Sequence, residues 1–446
     1  MSKKLPLEGV RVADMTTVVF GPYCTQILAD LGADVIKVEP AEGDSARNIG
    51  VPPNTPLVGP VHLRLNRGKR SVSWDMKSEK GKLAVRRLLE TSDVFIHNIR
   101  PDAIDRLGLG YEAVKKLRPD IVYVHCTGFG LRGPYAGLQA YDDVIQAASS
   151  AVSLLPRVDG NPRPRYLPML FADKVSGLHA AYATLAALIA KNRDGEGQHV
   201  EVPMFEAITS FNMLEHLCDA TFVPPTGKWG YPRQLDPVRQ PMRTKDGYIS
   251  IAPYLDDRWV RFFQAAGHPE VLQEERFIDK ASRRKNMTQM YEVAETILPE
   301  KTTEEWLRIL KEAHVPAIHA NEIGEVLEDP HLNASGLFQQ REHPTEGGYI
   351  EVRPPVRFSG FDYPEATHAP TIGQQRLRSI ETSGSRVDPR FVCSPDDPVN
   401  RVRIYSADRR IEETPPNTLW PATCLREPGP VRSRSNLTGV GGKKQG

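Results

Sequence analysis

One carboxylate in this chain stands where reactive acids are often placed. Asp173 follows the apolar approach Leu170-Phe171-Ala172 and opens a stretch rich in alanine and leucine that runs to Ala190. That spacing predicts a long helix with Asp173 at its start. A carboxylate at a helix N-terminus faces unpaired backbone N–H groups and the positive end of the dipole. Such a setting keeps it ionised and puts donors beside any oxyanion formed nearby. The chemistry this allows is nucleophilic attack or proton transfer. Aspartate is equally a preferred N-cap, a purely structural use. The window alone leaves both readings open.

Other patterns that could carry chemistry are weaker. Gly128-Phe-Gly-Leu-Arg-Gly133 has the spacing of a dinucleotide-binding turn and follows a strand pattern, but Pro134-Tyr-Ala-Gly137 comes next instead of a helix. Glu39 ends a strand pattern as a ribose-binding acid would, yet Thr16–Gly21 lacks the glycines that let a pyrophosphate approach, so Glu39 reads as structural. There is no GxxxxGK[ST] loop, no GxSxG elbow and no HExxH pair. The five cysteines, Cys24, Cys126, Cys218, Cys393 and Cys424, show no CxxC spacing, so neither a disulfide framework nor a metal site is expected.

The elements that must position Asp173 follow from periodicity. Short strands at Gly9–Asp14, Ala33–Glu39, Ser71–Trp74, Asp93–His97 and Ile121–His125 alternate with helices over Thr25–Leu31, Lys80–Glu90 and Ile104–Gly108, with Gly21-Pro22 opening the first helix. Alternation of this kind predicts an α/β fold, a doubly wound, Rossmann-like parallel sheet with ligands at the carboxyl ends of its strands. Residues 1–220 form its large domain. Proline, glycine and polar residues between Pro224 and Pro241 read as a linker, and a smaller α+β domain is expected over 225–330. Residues 331–380 read as a return to the large domain. Residues 381–446, rich in arginine, proline and serine without a sustained period, read as a disordered or atypical tail.

Composition narrows the partners. With 446 residues and a formal net charge of +1, nothing points to nucleic acid or an anionic membrane. The longest apolar stretch, Ala180–Ala190, is shorter than the roughly 20 residues a spanning helix needs. Met1–Glu8 has no apolar h-region, so a soluble, cytoplasmic protein is expected.

Several segments in order resemble one family. Pro6–Asp14, Gly21-Pro22, Leu28–Glu39, Gly43-Asp44, Asn66–Ser71, Asp75–Lys77, Asp93–Asn98, Leu107-Gly108, Gly128–Gly130 with Gly133-Pro134, Asp173, Gly195–Val200, Asp246-Gly247 and Asp329–His331 are similar to the family III CoA-transferases, relatives of formyl-CoA and carnitine-CoA transferases. The resemblance runs from about residue 5 to about residue 375. It implies that Asp173 is a catalytic nucleophile forming anhydride and aspartyl-CoA thioester intermediates. It also implies coenzyme A as acyl-CoA substrate, small carboxylic acids as partners, and an interlocked homodimer. By the same resemblance Val19, Phe20, Lys77, Asn98 and Arg106 contact the cofactor, and Tyr141 and Asp142 belong to the substrate pocket. Some relatives carry glutamine at the position of Val19, which leaves the backbone N–H groups of that turn as oxyanion donors. No glycine-rich loop lies between Gly230 and Gly247, which argues against oxalate. Succinyl-CoA is the expected donor by frequency among relatives.

Two alternatives accompany this reading. Racemases acting on 2-methylacyl-CoA resemble the chain as well, but they place a histidine where Tyr141 stands, and a phenol, titrating near 10 in water, is a poor base at neutral pH. A catalytically silent CoA-binding subunit is the other, if Asp173 only caps its helix.

Overall fold

The computed structural model describes residues 4–375. The expected tail over 381–446 and the last residues of the 331–380 return segment lie outside the described residues. Six strands make the main sheet: β1 Arg11–Met15, β2 Asp34–Glu39, β3 Arg70–Ser73, β4 Val94–His97, β5 Val122–Thr127 and β6 Gln198–Pro203. All pairs are parallel and the order is β3-β2-β1-β4-β5-β6. The expected doubly wound α/β class is the one observed. The associated helices are α1 Phe20–Asp30, α2 Pro60–Asn66, α3 Glu79–Glu90, α4 Pro101–Arg106, α5 Tyr111–Leu117, α6 Asp142–Ala148, α7 Leu154–Asp159, α8 Phe171–Asp194 and α9 Met204–His216.

Alternate side chains of each strand serve opposite faces of the sheet. Val12, Ile96 and Val124 pack with Cys24 and Leu28 of α1 and Ala180 and Leu188 of α8. Ala13, Phe95 and Tyr123 pack with Leu88 of α3, Ile104 of α4 and Val114 of α5. Burial on both faces explains why these strands are near-continuous apolar runs. The order reverses between β1 and β4, which opens a crevice at their carboxyl ends.

Element ends shift by one to three residues from the sequence expectation, the most at the start of α4. At α1 the helix begins at Phe20, so Pro22 is its third residue rather than its first. A residue before proline resists the helical region unless its Cβ is absent. Gly21 meets that need, and a Cβ there would also stand 2.2 Å from Thr16 Cγ2.

After α9, an antiparallel sheet of β7 Met242–Arg243, β8 Tyr248–Ile251 and β9 Ala317–His319 packs with α10 Asp256–Ala266, α11 Lys280–Lys285, α12 Met287–Ile297 and α13 Thr303–Glu312. Trp259, Phe262, Phe263 and Trp306 form the centre of that core. Next come α14 Pro330–Ser335 and the hairpin β10 Phe338–His343 and β11 Gly347–Val352. The chain then runs back along the first sheet: Gly68 N–H donates to Thr367 O at 2.8 Å, His62 Nε2 to Pro370 O at 2.9 Å, and Gly373 N–H to Ser71 Oγ at 3.0 Å. All described residues belong to one compact unit. No helix among them is long and apolar enough to cross a membrane.

Candidate active site

The loop leaving β1 is pinned from three sides. Asp14 Oδ1 accepts the Thr16 N–H at 2.9 Å, and Asp44 Oδ1 accepts the Val18 N–H at 2.9 Å. Lys37 Nζ bridges Thr16 O at 2.8 Å and Asp44 Oδ2 at 2.9 Å. From the end of β4, Asn98 accepts the Thr17 N–H and donates to Thr17 O, each at 3.0 Å. These bonds hold Val18 at φ +68°, a left-handed conformation that is strained for a β-branched residue. Strain of that kind persists only where the surroundings over-determine it.

Asp173 enters from the opposite side, on α8. The N-cap of α8 is Leu170, so Asp173 is the third helical residue and its side chain makes no cap. The expectation of an N-cap is therefore corrected. The capping group comes from elsewhere: Asp142, in the first turn of α6, accepts the Asp173 N–H at 2.9 Å through Oδ1, while its Oδ2 accepts from Gln146 Nε2 at 2.5 Å. The Asp173 carboxyl accepts no hydrogen bond from the described residues, and the residue as a whole is only 7% exposed. Burial first, and the Asp142 carboxylate second, raise its pKa from the ordinary 3.8 to about 7. That corrects the expectation of a permanently ionised group. A helix dipole contributes at most about 2 kcal/mol, too little to offset lost solvation plus a like charge.

One turn beyond Asp173, Gly177 abuts α1. A Cβ at Gly177 would stand 2.9 Å from Phe20 O and 3.0 Å from Tyr23 Cδ1. Residues four apart share a helix face, so Asp173 lies on the side of α8 that meets the first turn of α1. Between them, at the carboxyl ends of β1, β4 and β5, is a cleft of about 300 Å³ whose walls include Thr17, Phe20, Asn98, Arg100, Tyr141 and Asp173.

The residues singled out from sequence divide into three groups. Phe20, Asn98, Tyr141 and Asp173 line the cleft. Val19 and Asp142 are buried just behind it, Val19 preceding α1 and Asp142 beneath Asp173. Lys77 and Arg106 are exposed and do not line it, Lys77 in the turn before α3 and Arg106 ending α4. Sequence reasoning passed over Arg100, His125 and Thr127, which also line the cleft. Arg100 had a signal, a cation two residues beyond Asn98 at a strand end. Thr127 Oγ1 is buried with no partner among the described residues, which leaves a hydroxyl proton to offer a ligand.

Two donors of the glycine-rich turn are taken by carboxylates of the protein itself. Gly130 N–H donates to Glu206 at 3.0 Å and Leu131 N–H to Glu201 at 2.5 Å, and the next helix begins only at Asp142. Glu201 and Glu206 stand at those two N–H groups, where a phosphate would have to bind. Glu39 is structural: burial would push its pKa up, but Arg47, bonded through Nη2 and Nε at 2.6 and 2.7 Å, brings it down to about 2.

Strand order and cleft define a doubly wound α/β protein with its ligand site at the switch point. Residues 7–376 match the family model for CoA-transferase family III, and the chain belongs to that family. It is an enzyme of the CoA-transferase class, and coenzyme A thioesters are the substrates of that class. The chain is 31% identical to succinyl-CoA:glutarate CoA-transferase of Homo sapiens, over 85% of this chain and 86% of that one. It is 32% identical to succinate–glutarate CoA-transferase of Agrobacterium fabrum, over 85% and 97%. A solved CAIB/BAIF family protein from Brucella suis is similar with a TM-score of 0.72 at 30% identity, over 83% and 97%.

Proposed function

We propose that the protein moves coenzyme A from an acyl-CoA donor, with succinyl-CoA as first candidate, to a carboxylic acid acceptor through covalent chemistry at Asp173. The observation that carries this reading is the Asp173 carboxyl, buried in the cleft wall with no cation and no donor of its own among the described residues. A carboxylate stripped of solvent reacts readily once ionised, and a pKa of about 7 leaves much of it ionised at neutral pH.

In this reading the Asp173 carboxylate attacks the thioester carbonyl and displaces CoA thiolate, giving a mixed anhydride. The thiolate then attacks the aspartyl carbonyl, releasing the donor acid and leaving an Asp173–CoA thioester. An acceptor carboxylate attacks that thioester, forming a second anhydride and freeing the thiolate again. Attack of the thiolate on the acceptor acyl carbon completes the new acyl-CoA and restores Asp173. The first turn of α1, which has no side-chain cap, supplies backbone N–H groups for the oxyanions. Asn98 holds the Thr17 peptide that forms the adjoining wall. Lys77 and Arg106, outside the cleft, would meet the distant phosphates of coenzyme A.

Residues 225–330, with their own aromatic core, are read as a smaller domain that shapes the acceptor end. A homodimer is supported by apolar side chains exposed on adjoining elements: Leu178, Tyr182 and Ile189 of α8, and Phe211 and Leu214 of α9.

Trapping tests the chemistry. Acyl-CoA plus hydroxylamine should convert Asp173 to its hydroxamate, visible by peptide mass spectrometry. Asp173→Ala should lose the adduct and at least about a thousandfold in kcat. Retained turnover in the variant would sink the proposal. The raised pKa also favours a second reading, exchange of an α-proton, because a half-protonated carboxyl can give and take protons. Tyr141, 66% exposed at the cleft, makes a poor partner base. Solvent deuterium entering the α-carbon without an adduct would select that reading instead.

A further inference from the structure

Two histidines on neighbouring strands grip the backbone of one residue at the edge of the cleft. His97 ends β4 and faces His125 of β5 in register, with ring centroids 4.3 Å apart. His125 Nε2 donates to Ile99 O at 2.9 Å, while the Ile99 N–H donates to His97 Nδ1 at 3.2 Å. Both polar groups of one residue are thus held by imidazoles from two strands.

The bonding fixes the tautomers. The Tyr123 hydroxyl donates to Leu109 O at 3.0 Å, so its oxygen accepts from His97 Nε2 at 2.8 Å, and Nδ1 of that ring is left as the acceptor for Ile99. A protonated His97 would turn an N–H toward the Ile99 N–H. Burial, with His125 and His199 adding to it, holds the His97 pKa well below the usual histidine range and so preserves the acceptor.

Ile99 lies between Asn98, which latches the β1 loop, and Arg100, an exposed cation in the cleft wall. We propose that His97 and His125 are positioning residues that fix the Ile99 peptide, and through it set Asn98 and Arg100 for coenzyme A. This rests on the coenzyme A reading of the cleft. Neither imidazole is a catalytic group here. They act on the ligand through the segment they hold, as supporting bonds do around a preorganised site.

Matched variants separate positioning from mere packing. In His125→Gln the amide nitrogen can still donate to Ile99 O, whereas in His125→Phe a ring of similar size cannot. Full-length proteins are titrated calorimetrically with coenzyme A itself, and their thermal midpoints are compared. H125F should weaken binding by about tenfold, and H125Q should stay within about twofold of wild type. In turnover, the loss should appear in KM for acyl-CoA, with kcat little changed and KM for the acceptor acid unaffected. H97F and H97N, the latter keeping an acceptor for the Ile99 N–H, repeat the contrast if H125F does not fold. Wild-type affinity in H125F, or equal weakening in H125F and H125Q, overturns the clamp alone. A wild-type protein that binds no coenzyme A overturns the cleft assignment together with it.

Discussion

Two buried aspartates at the ends of this sheet behave in opposite ways. Asp14, at the end of β1, is fully buried, and Asp173, on α8, nearly so. Burial pushes both carboxyls toward protonation. At Asp14 the ammonium groups of Lys69 and Lys37 and the hydroxyls of Thr16 and Thr25 outweigh it, and the pKa ends below the ordinary 3.8. At Asp173 no cation among the described residues answers, the neighbouring charge is another carboxylate, and the pKa climbs to about 7. The difference lies in the company each residue keeps rather than in its type or depth. Charge is compensated where the β1 loop is pinned, and left uncompensated at the group proposed to react.

The cation side of the first cluster is itself strained. Lys37, between Asp14 and Asp44, titrates above its usual range although burial alone would lower it. Lys69 is lowered by burial to about 8, with Asp14 3.5 Å away, and still carries its charge at neutral pH. Removing Asp14 therefore strikes hardest. Asp14→Ala should destabilise the fold by about 3–5 kcal/mol in urea titrations near pH 7, because two buried ammonium groups lose their shared partner. Since the folded pKa of Asp14 is depressed, its contribution is present above pH 3.8 and fades as pH falls further. A loss under about 1 kcal/mol would break the contrast between the two sites.

The opposite sign is expected at Asp173. The folded protein holds that proton more tightly than the unfolded chain, so wild-type stability falls as pH rises from 3.8 towards 7, and the deficit is complete above it. Asp173→Asn should accordingly be more stable than wild type at pH 8, by roughly 2 kcal/mol, and indistinguishable at pH 3. Thermal melts at the two pH values check this. An asparagine variant less stable at pH 8 would mean that Asp173 is compensated after all.

The smallest effect separates the two causes of the raised value. In the proposed chemistry the attacking form of Asp173 is the ionised one, so kcat/KM for the acyl-CoA donor should rise with pH through about 7. Asp142→Asn keeps an oxygen for the Asp173 N–H but removes the charge. The midpoint of that profile should then drop by about one unit. An unmoved midpoint would assign the whole shift to burial.

Much of the architecture could be read before any coordinates. Periodicities of 2 and 3.6 are local, and β1 to β5 with α1, α3 and α4 emerge close to their expected places, whereas the short helices α2 and α5 were not legible. The site was legible only in part. Asp173 was found because a carboxylate next to an alanine-rich helix is a visible pattern. Whether it capped its own helix stayed open, because the capping oxygen belongs to Asp142, 31 residues earlier. His97 and His125 were invisible as a pair because only the β4–β5 register brings them together.

By itself, then, the sequence determined the order and type of the elements, the α/β class, and the ordered motifs that mark the family. These depend on short-range geometry and on residue identity. The tertiary structure alone decided which carboxylate is ionised, which one caps α8, and which peptide the histidines hold. Those outcomes depend on desolvation and on charges meeting through space, and neither is written in the spacing of residues along the chain.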